Sequence, residues 1–128
     1  MGGMSQPPTD RTRVRRIPDR ARYDKADVLA ILREGLVAHV ALVDPERGPV
    51  VLPMVYGVDD EYLYLHGSPA SRLVRQLMSG ADCCVEVTLL DELVIARSVF
   101  HHSMNYRSAM VHGRAENLED HAAKDAAL

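Results

Sequence analysis

The chain has 128 residues, close to the commonest size of a single domain, so a second independent core is not expected. Its 47% hydrophobic content is typical of a globular protein, and no apolar run is long enough to span a bilayer, so we expect no membrane partner. Six arginines against two aspartates give residues 1–22 a formal charge of +4, which leaves −7 for the rest of a chain whose total is −3.

Residues 1–16 are basic and contain Pro7 and Pro8, a composition that predicts a disordered tail before a folded domain of residues 17–128. A basic tail on an acidic body could bind nucleic acid, a membrane surface or a second subunit. Because no aromatic or lysine-rich pattern accompanies the arginines, we interpret the tail as a solvated leader and predict no nucleic-acid partner. The tail lacks the apolar core of a signal peptide, and the adjacent Cys83 and Cys84 suit no disulfide framework, so we predict a cytoplasmic protein.

The hydrophobic pattern predicts a mainly β fold with two helices. Asp24 is a candidate N-cap for a helix over Lys25–Glu34, with Gly35 just past its end. Val28, Leu29, Ile31 and Leu32 would form the buried stripe of this helix. A second helix would open at Gly67-Ser68-Pro69 and stop at Gly80. Six extended runs cover residues 36–43, 50–58, 62–66, 83–90, 93–100 and 106–116. Short turns and the missing βαβ alternation favour a closed antiparallel barrel over an open α/β sheet.

The junction between the third strand and the second helix is a candidate phosphate cradle. A helix start offers unpaired backbone N–H groups, and Gly67 permits close approach of a ligand. Ser68 and Ser71 add hydroxyl donors, and Arg72 adds a planar fork suited to phosphate. The alternative is structural, with Ser68 as N-cap, Pro69 in the first turn and Arg72 in solvent. Spacing alone favours this structural interpretation.

Pro53 interrupts an otherwise regular strand at residues 50–58. Proline cannot donate to a strand ladder, so it marks an edge, a bulge or a place where something other than a strand lies alongside. A flat ring could take this place, and a simple edge strand explains the proline equally well.

No catalytic group or metal site emerges from the remaining polar residues. His101 and His102 are adjacent on an extended run and therefore diverge, and no acidic residue completes a metal site at helical spacing. Cys83 and Cys84 lie inside an apolar run, which leaves no nucleophile and no placed base. We therefore predict no metal and assign no catalytic residue.

Five segments in one order resemble the pyridoxamine 5′-phosphate oxidase-like family, the FMN-binding split barrels. They are VLPMVYG at residues 51–57, LYLHGS at 63–68, SR at 71–72, ARSVFHHSMNYRS at 96–108 and VHGRA at 111–115. The segment at residues 96–108 is most similar to the flavin-nucleotide-binding, nitroimidazole-resistance-type branch. The resemblance covers about residues 17–128.

The resemblance implies a six-stranded antiparallel split β-barrel with two or three short helices, forming a homodimer with FMN in grooves at the subunit interface. It also implies a set of FMN-binding residues. The strand whose backbone faces the flavin ring would comprise Val51, Leu52, Pro53, Met54, Val55 and Tyr56. Leu65 and His66 would lie near the ribityl chain, Ser68, Ser71 and Arg72 would surround the phosphate, and Arg107 with Ser108 would complete the site. Phosphate binding at the cradle is then favoured over the structural interpretation.

In function, the resemblance implies an FMN-dependent oxidoreductase acting on a small molecule such as a nitro-aromatic compound. Relatives continue past Leu128 with the residues that grip pyridoxal phosphate in the oxidase itself, so oxidation of vitamin B6 is not expected. The position after Arg72, basic in that oxidase, is Leu73 here, which leaves Arg72, Arg75 and Arg107 to bind phosphate. Two alternatives stay open: a non-catalytic module for flavin, deazaflavin or haem, and a truncated relative that has lost its ligand.

Overall fold

A computed structural model of the chain describes residues 8–95 and 103–117. A turn of 3-10 helix, Pro18–Arg20, precedes the first regular element. The helices and strands are α1 (Lys25–Glu34), β1 (Val37–Asp44), β2 (Gly48–Val58), β3 (Leu63–His66), α2 (Arg72–Met78), β4 (Asp82–Val94) and β5 (Ser103–Arg114). In the part of the chain described, no helix is long and apolar enough to cross a membrane.

The five strands form one antiparallel sheet in the order β3-β2-β1-β4-β5. β1 lies at its centre and pairs with the whole first part of β2, from Val37↔Val55 to Asp44↔Gly48. β3 is short and pairs only with residues 55–58 of β2. The prediction of a mainly β fold is confirmed, and the described residues form an open sheet.

The two faces of the sheet differ in what covers them. One face lies under α1 and α2 and holds the core: Leu32, Ala38, Val40, Leu42, Leu73, Leu77, Cys83, Val85, Val87 and Ala109. Strand alternation points the intervening side chains to the opposite face, which we call the outer face. Its large apolar side chains are exposed: Val37, Val43, Val51, Val55, Leu90, Tyr106 and Met110.

α1 begins and ends where the sequence predicts. The Asp24 carboxylate accepts a hydrogen bond from the Ala26 backbone N–H at 2.8 Å, which satisfies one of the unpaired donors of the first turn. The helix ends at Glu34 and is followed by Gly35. Its predicted apolar stripe packs against the core: Val28, Leu29, Ile31 and Leu32.

α2 begins later than the sequence predicts. Ser68 opens a turn instead of capping the helix: its Oγ accepts from the Ala70 N–H at 3.2 Å, and its carbonyl accepts from the Ser71 N–H at 2.9 Å. Pro69 takes the second position of this turn, which suits its fixed φ. Ser71 is therefore the N-cap. Gly80, with a φ of 87°, follows the end of the helix.

β4 runs through a predicted turn. The sequence places a break at Asp91-Glu92, but the strand continues to Val94. A register shift between Leu90 and Glu92 marks a β-bulge, which adds a residue to one strand without ending the pairing. Of the predicted strand 93–100, the first two residues therefore end β4, and residues 96–102 lie outside the described part. A sixth strand stays a prediction.

The part of the predicted tail that the structure describes contacts the domain at two points. The Arg11 guanidinium lies 2.7 Å from the Asp82 carboxylate at the start of β4. The Val14 backbone N–H donates to the Tyr23 hydroxyl at 2.8 Å.

Candidate functional site

Residues 48–54 of β2 border an open edge of the sheet. β1 pairs with them on one side, and among the described residues no strand pairs with them on the other. Pro53 lies in this segment, opposite His39 of β1. A proline is tolerated where its missing N–H faces away from a neighbouring strand. The structure thus places Pro53 at an edge, one of the positions that the sequence predicts.

Side chains along residues 51–56 alternate between the two faces of the sheet. Val51, Pro53 and Val55 belong to the outer face, and Leu52, Met54 and Tyr56 point to the α1 and α2 side. The backbone of residues 51–54 lies at the open edge, whereas Val55 and Tyr56 pair with β3. A role for this strand in facing a ring therefore depends on its main-chain groups and on the three outer side chains.

Tyr56 has a structural contact of its own. Its hydroxyl donates to the Leu32 carbonyl at 2.5 Å and so ties β2 to the last turn of α1. Burial raises the pKa of Tyr56 above its ordinary value. Leu65, which pairs with Tyr56, also packs against the core. Both side chains face the protein interior.

Gly67 brings the loop after β3 against β2. The preceding residue, His66, pairs with Val55 and is exposed. A Cβ at Gly67 would lie 2.7 Å from the Met54 Cε and 2.8 Å from a methyl of Val74. A side chain here would force Met54 or Val74 to shift, and the glycine lets the chain enter α2 directly alongside the β2 edge.

The two serines of the predicted cradle keep their hydroxyl protons available. Ser68 Oγ accepts from the Ala70 N–H, and Ser71 Oγ accepts from the Val74 N–H at 3.5 Å. Neither hydroxyl has an acceptor for its own proton among the described residues. Each can accept one bond and donate another.

Arg72 reaches across the end of the β1–β2 hairpin. Its Nε and Nη2 donate to the two carboxylate oxygens of Asp44 at 2.7 and 3.0 Å, and Nη2 also donates to Glu46 at 2.9 Å. Asp44 is buried, with 3% exposure, and its Oδ1 also accepts from the backbone N–H groups of Glu46 and Arg47. The Arg72 hydrogen bonds, followed by the backbone ones, hold the pKa of Asp44 well below its ordinary value.

Arg107 lies in a second cluster of charges. Its Nε and Nη2 donate to Asp91, in the β4 bulge, at 3.0 and 2.8 Å, and its Nη1 and Nη2 donate to Glu34, at the end of α1, at 2.9 and 3.1 Å. These bonds lower the pKa of both carboxyl groups. Ser108 follows on the outer face, where it pairs with Thr88.

The two arginines predicted to bind one phosphate lie at opposite ends of the sheet. Arg72 contacts Asp44, the last residue of β1, and Arg107 contacts Glu34, which precedes the strand. A strand of eight residues spans about 25 Å. Within one chain, the structure therefore groups the β2 edge with His66, Ser68, Ser71 and Arg72, and leaves Arg107 and Ser108 apart from them.

The outer face carries polar pairs among its apolar side chains. His39 Nδ1 lies 3.8 Å from the Glu86 carboxylate, and Cys84 Sγ lies 4.0 Å from His112 Nε2. Burial raises the pKa of the Cys84 thiol. A groove of about 410 Å³ opens beside the junction between α1 and β1, lined by residues 34–37, His39 and residues 88–91.

The side chains able to bind a metal ion are spread over the described residues. Residues 8–95 and 103–117 contain no cluster of three or more His, Cys, Asp or Glu side chains that could hold an ion. His101 and His102, the pair considered from the sequence, lie outside these ranges. Cys83 is buried in the core and Cys84 lies on the outer face, so the predicted divergence of the two thiols is confirmed.

The sequence missed the partners of both arginines. Asp44 and Glu46 lie between the first two predicted strands, and Asp91 lies in the break between the predicted strands at residues 83–90 and 93–100. The only indication in the sequence is charge complementarity between acids in turns and arginines far along the chain. Such pairs form through the sheet register, which composition does not specify.

Most of the chain matches one known protein family. The sequence profile of the family described as pyridoxamine 5′-phosphate oxidase matches residues 24–128, which contain all the predicted site residues. No curated protein gives a significant match.

Three solved structures are similar in sequence and fold. The flavocytochrome Anf3 from Azotobacter vinelandii is 42% identical with a TM-score of 0.80, over 93% of this chain and 55% of that one. The FAD and haem binding protein from Mycobacterium smegmatis is 38% identical with a TM-score of 0.70, over 80% and 50%. A protein of Bacteroides thetaiotaomicron VPI-5482 described as a 5-nitroimidazole antibiotic resistance protein is 30% identical with a TM-score of 0.67, over 81% and 61%.

This chain spans between half and about three-fifths of the length of these relatives. The family match nevertheless covers everything after residue 23, including the sheet, both helices and the loop beside the β2 edge. The chain therefore belongs to the pyridoxamine 5′-phosphate oxidase family.

Proposed function

We propose that this protein binds a flavin nucleotide, FMN, and serves as a flavin-dependent oxidoreductase for a small molecule such as a nitro-aromatic compound. The observation that carries the proposal is the 42% identity to a flavocytochrome over 93% of the chain. A second relative is named for FAD and haem, and the third is described in terms of nitroimidazole resistance. A bound flavin supplies the redox chemistry at its ring, so the chain has to bind and orient rather than act as an acid or base.

The donors beside the β2 edge fit a flavin phosphate. Ser68 and Ser71 have hydroxyl protons to donate, and Arg72 Nη1 has no acceptor among the described residues. Arg72 is part-exposed, at 39% of its side chain, so a ligand can reach it from solvent. A guanidinium and two hydroxyls form a donor set suited to phosphate oxygens. The ring would lie along residues 51–56; of these, residues 51–54 have no second strand partner in the described part, and Val55 and Tyr56 pair with β3.

The proposal includes a homodimer with the flavin at the subunit interface. Arg107 and Ser108 lie too far from Arg72 to serve the same ligand within one chain, so they would complete the site of a second copy. The exposed apolar side chains of the outer face supply a surface that a second copy can cover. Large exposed apolar patches are typical of protein interaction sites.

Haem is the second candidate ligand, because one relative is a flavocytochrome and another binds FAD and haem. In this alternative the protein is a non-catalytic binding module, and a deazaflavin could take the place of the flavin. Turnover of a nitro-aromatic acceptor with a nicotinamide donor separates an enzyme from such a module. A member of the family that has lost its ligand would bind none of these molecules.

The experiment that tests the proposal is the visible spectrum of freshly purified protein, with mass spectrometry of the molecule that heat releases. We expect flavin absorbance and the mass of FMN. The mass of FAD would keep the flavin and correct the nucleotide. A haem spectrum without flavin would favour the second candidate. A colourless protein that also fails to bind added FMN or FAD would contradict the proposal.

A further inference from the structure

The guanidinium of Arg72 donates hydrogen bonds to two carboxylates, one buried and one exposed. An arginine presents a side edge, formed by Nε and Nη2, and an end edge, formed by Nη1 and Nη2. Asp44 takes the whole side edge with both of its oxygens, at 2.7 and 3.0 Å. Glu46 takes half of the end edge through a single bond from Nη2 at 2.9 Å. The end edge is the one that remains for a bidentate ligand.

Asp44 is held in place independently of Arg72. Its side chain is 2% exposed, and its Oδ1 caps the hairpin turn through the backbone N–H groups of Glu46 and Arg47, at 2.8 and 3.1 Å. A buried carboxylate with these bonds has little freedom to move. Asp44 therefore fixes the direction in which Arg72 presents its end edge.

The Glu46 side chain, unlike that of Asp44, is exposed and weakly held. It is 79% exposed and makes one bond to Arg72. Its backbone N–H is bound by Asp44, so the side chain can swing into solvent while the turn stays intact. An exposed ion pair of this kind contributes little net free energy, so displacing Glu46 costs little.

We propose that Glu46 is a displaceable occupant of the phosphate position, and that a ligand phosphate replaces its carboxylate on the end edge of Arg72 while Asp44 stays bound. This inference rests on the proposed function and deepens it by assigning the selectivity of that site. A dianionic phosphate can bridge Nη1 and Nη2, and Glu46 bonds only Nη2. The Glu46 carboxylate thus lowers the affinity for ligands that end in phosphate by competing with them, and it leaves the affinity for neutral ligands unchanged.

The test is the affinity of purified, flavin-free protein for FMN and for riboflavin, measured by quenching of flavin fluorescence. Riboflavin has the same ring and ribityl chain without the phosphate, so it reports the ring site alone. Glu46→Gln removes the competing charge and keeps the shape of the side chain. We expect it to bind FMN about twofold to fivefold tighter, the range that an exposed ion pair contributes, with riboflavin unchanged. Glu46→Lys should strengthen FMN binding further at low salt.

The matched control is Glu61→Gln, which makes the same chemical change in the turn between β2 and β3, where Glu61 is exposed. It should change neither affinity. If wild-type protein binds FMN and Glu46→Gln binds it equally or more weakly, the inference is wrong and the proposed function stands. If FMN and riboflavin bind wild-type protein equally, the phosphate does not contact Arg72, and the inference is also wrong. If no protein binds either flavin, the proposed function fails together with the inference.

Discussion

Arg72 illustrates how one residue can serve the fold and a ligand together. Its side edge is fixed by the buried Asp44, and its end edge faces Glu46 and solvent. The sequence predicts either a phosphate contact or a solvated helix residue. In the structure Arg72 instead forms ion pairs with Asp44 and Glu46. Asp44 could not be recognised as its partner from the sequence, because 28 positions separate the two residues and only the packing of α2 against the hairpin joins them.

Replacing Arg72 by alanine should weaken FMN binding about tenfold to a hundredfold, the usual effect of losing hydrogen bonds to a charged group. Riboflavin affinity should stay the same, because the ring does not depend on the guanidinium. The matched control is Arg33→Ala, which removes an exposed arginine of α1 that pairs with Asp60. Equal losses of FMN and riboflavin affinity would indicate a misfolded variant, and no loss of FMN affinity would remove Arg72 from the site.

Asp44→Asn tests the same ion pair through stability and pH. Because the folded pKa of Asp44 lies below its ordinary value of 3.8, its stabilising effect is complete above that pH and is lost as the pH falls below it. At pH 7 we expect the variant to unfold at a temperature lower by about 5 °C. The difference from wild type should shrink as the pH falls from 5 towards 2. If the difference in unfolding temperature stays constant over this range, the charge of Asp44 is not what stabilises the turn. The control is Asp10→Asn, which makes the same change in the tail.

Among the elements, α1 was predicted with its cap, its stripe and its end, because all three depend on neighbouring residues in the chain. The start of α2 and the break in β4 were not. The serines and proline before α2 are compatible with several turn types, and the sequence does not show that Gly67 packs closely against Met54 and Val74. The β4 bulge is a property of pairing with β5, so the acids at its centre look like an ordinary turn in the sequence.

Gly35 joins α1 to β1 at a point where no side chain fits. A Cβ there would overlap the Tyr56 hydroxyl and a methyl of Val87. Gly35→Ala should therefore force α1 away from the sheet and lower the free energy of unfolding by about 1–3 kcal/mol, as overpacking does. Urea denaturation followed by circular dichroism measures this change. Gly113→Ala is the matched control, since a Cβ at Gly113 meets nothing within 4 Å. Equal stability of the two variants would contradict the tight junction.

For the whole molecule, the mainly β class and the family were within reach of the sequence, because strand alternation and the ordered segments are both local in the chain. The open sheet that the described residues form, with its exposed outer face, was not, since it depends on which strands pair. The barrel with six strands and the second subunit follow from the resemblance and stay predictions. The sheet supports the proposal of a second copy, because Arg107 and Ser108 lie at the far end of β1 from Arg72.

Met110 lies on the outer face, opposite Glu86 of β4, and is 61% exposed. If a second copy covers this face, Met110→Lys buries a charge in the interface, and its desolvation should weaken the dimer at least tenfold. Met78→Lys is the matched control, because Met78 is half-exposed on α2, away from the outer face. Sedimentation velocity of the wild type and both variants measures the assembly. We expect the wild type and Met78→Lys to be dimers, and Met110→Lys to dissociate at micromolar concentration. FMN affinity should fall in parallel, because Arg107 and Ser108 leave the site.

A monomeric wild type, or a Met110→Lys dimer as stable as the wild type, would show that the outer face is not the interface. If monomer and dimer bind FMN equally well, the second copy contributes nothing to the site.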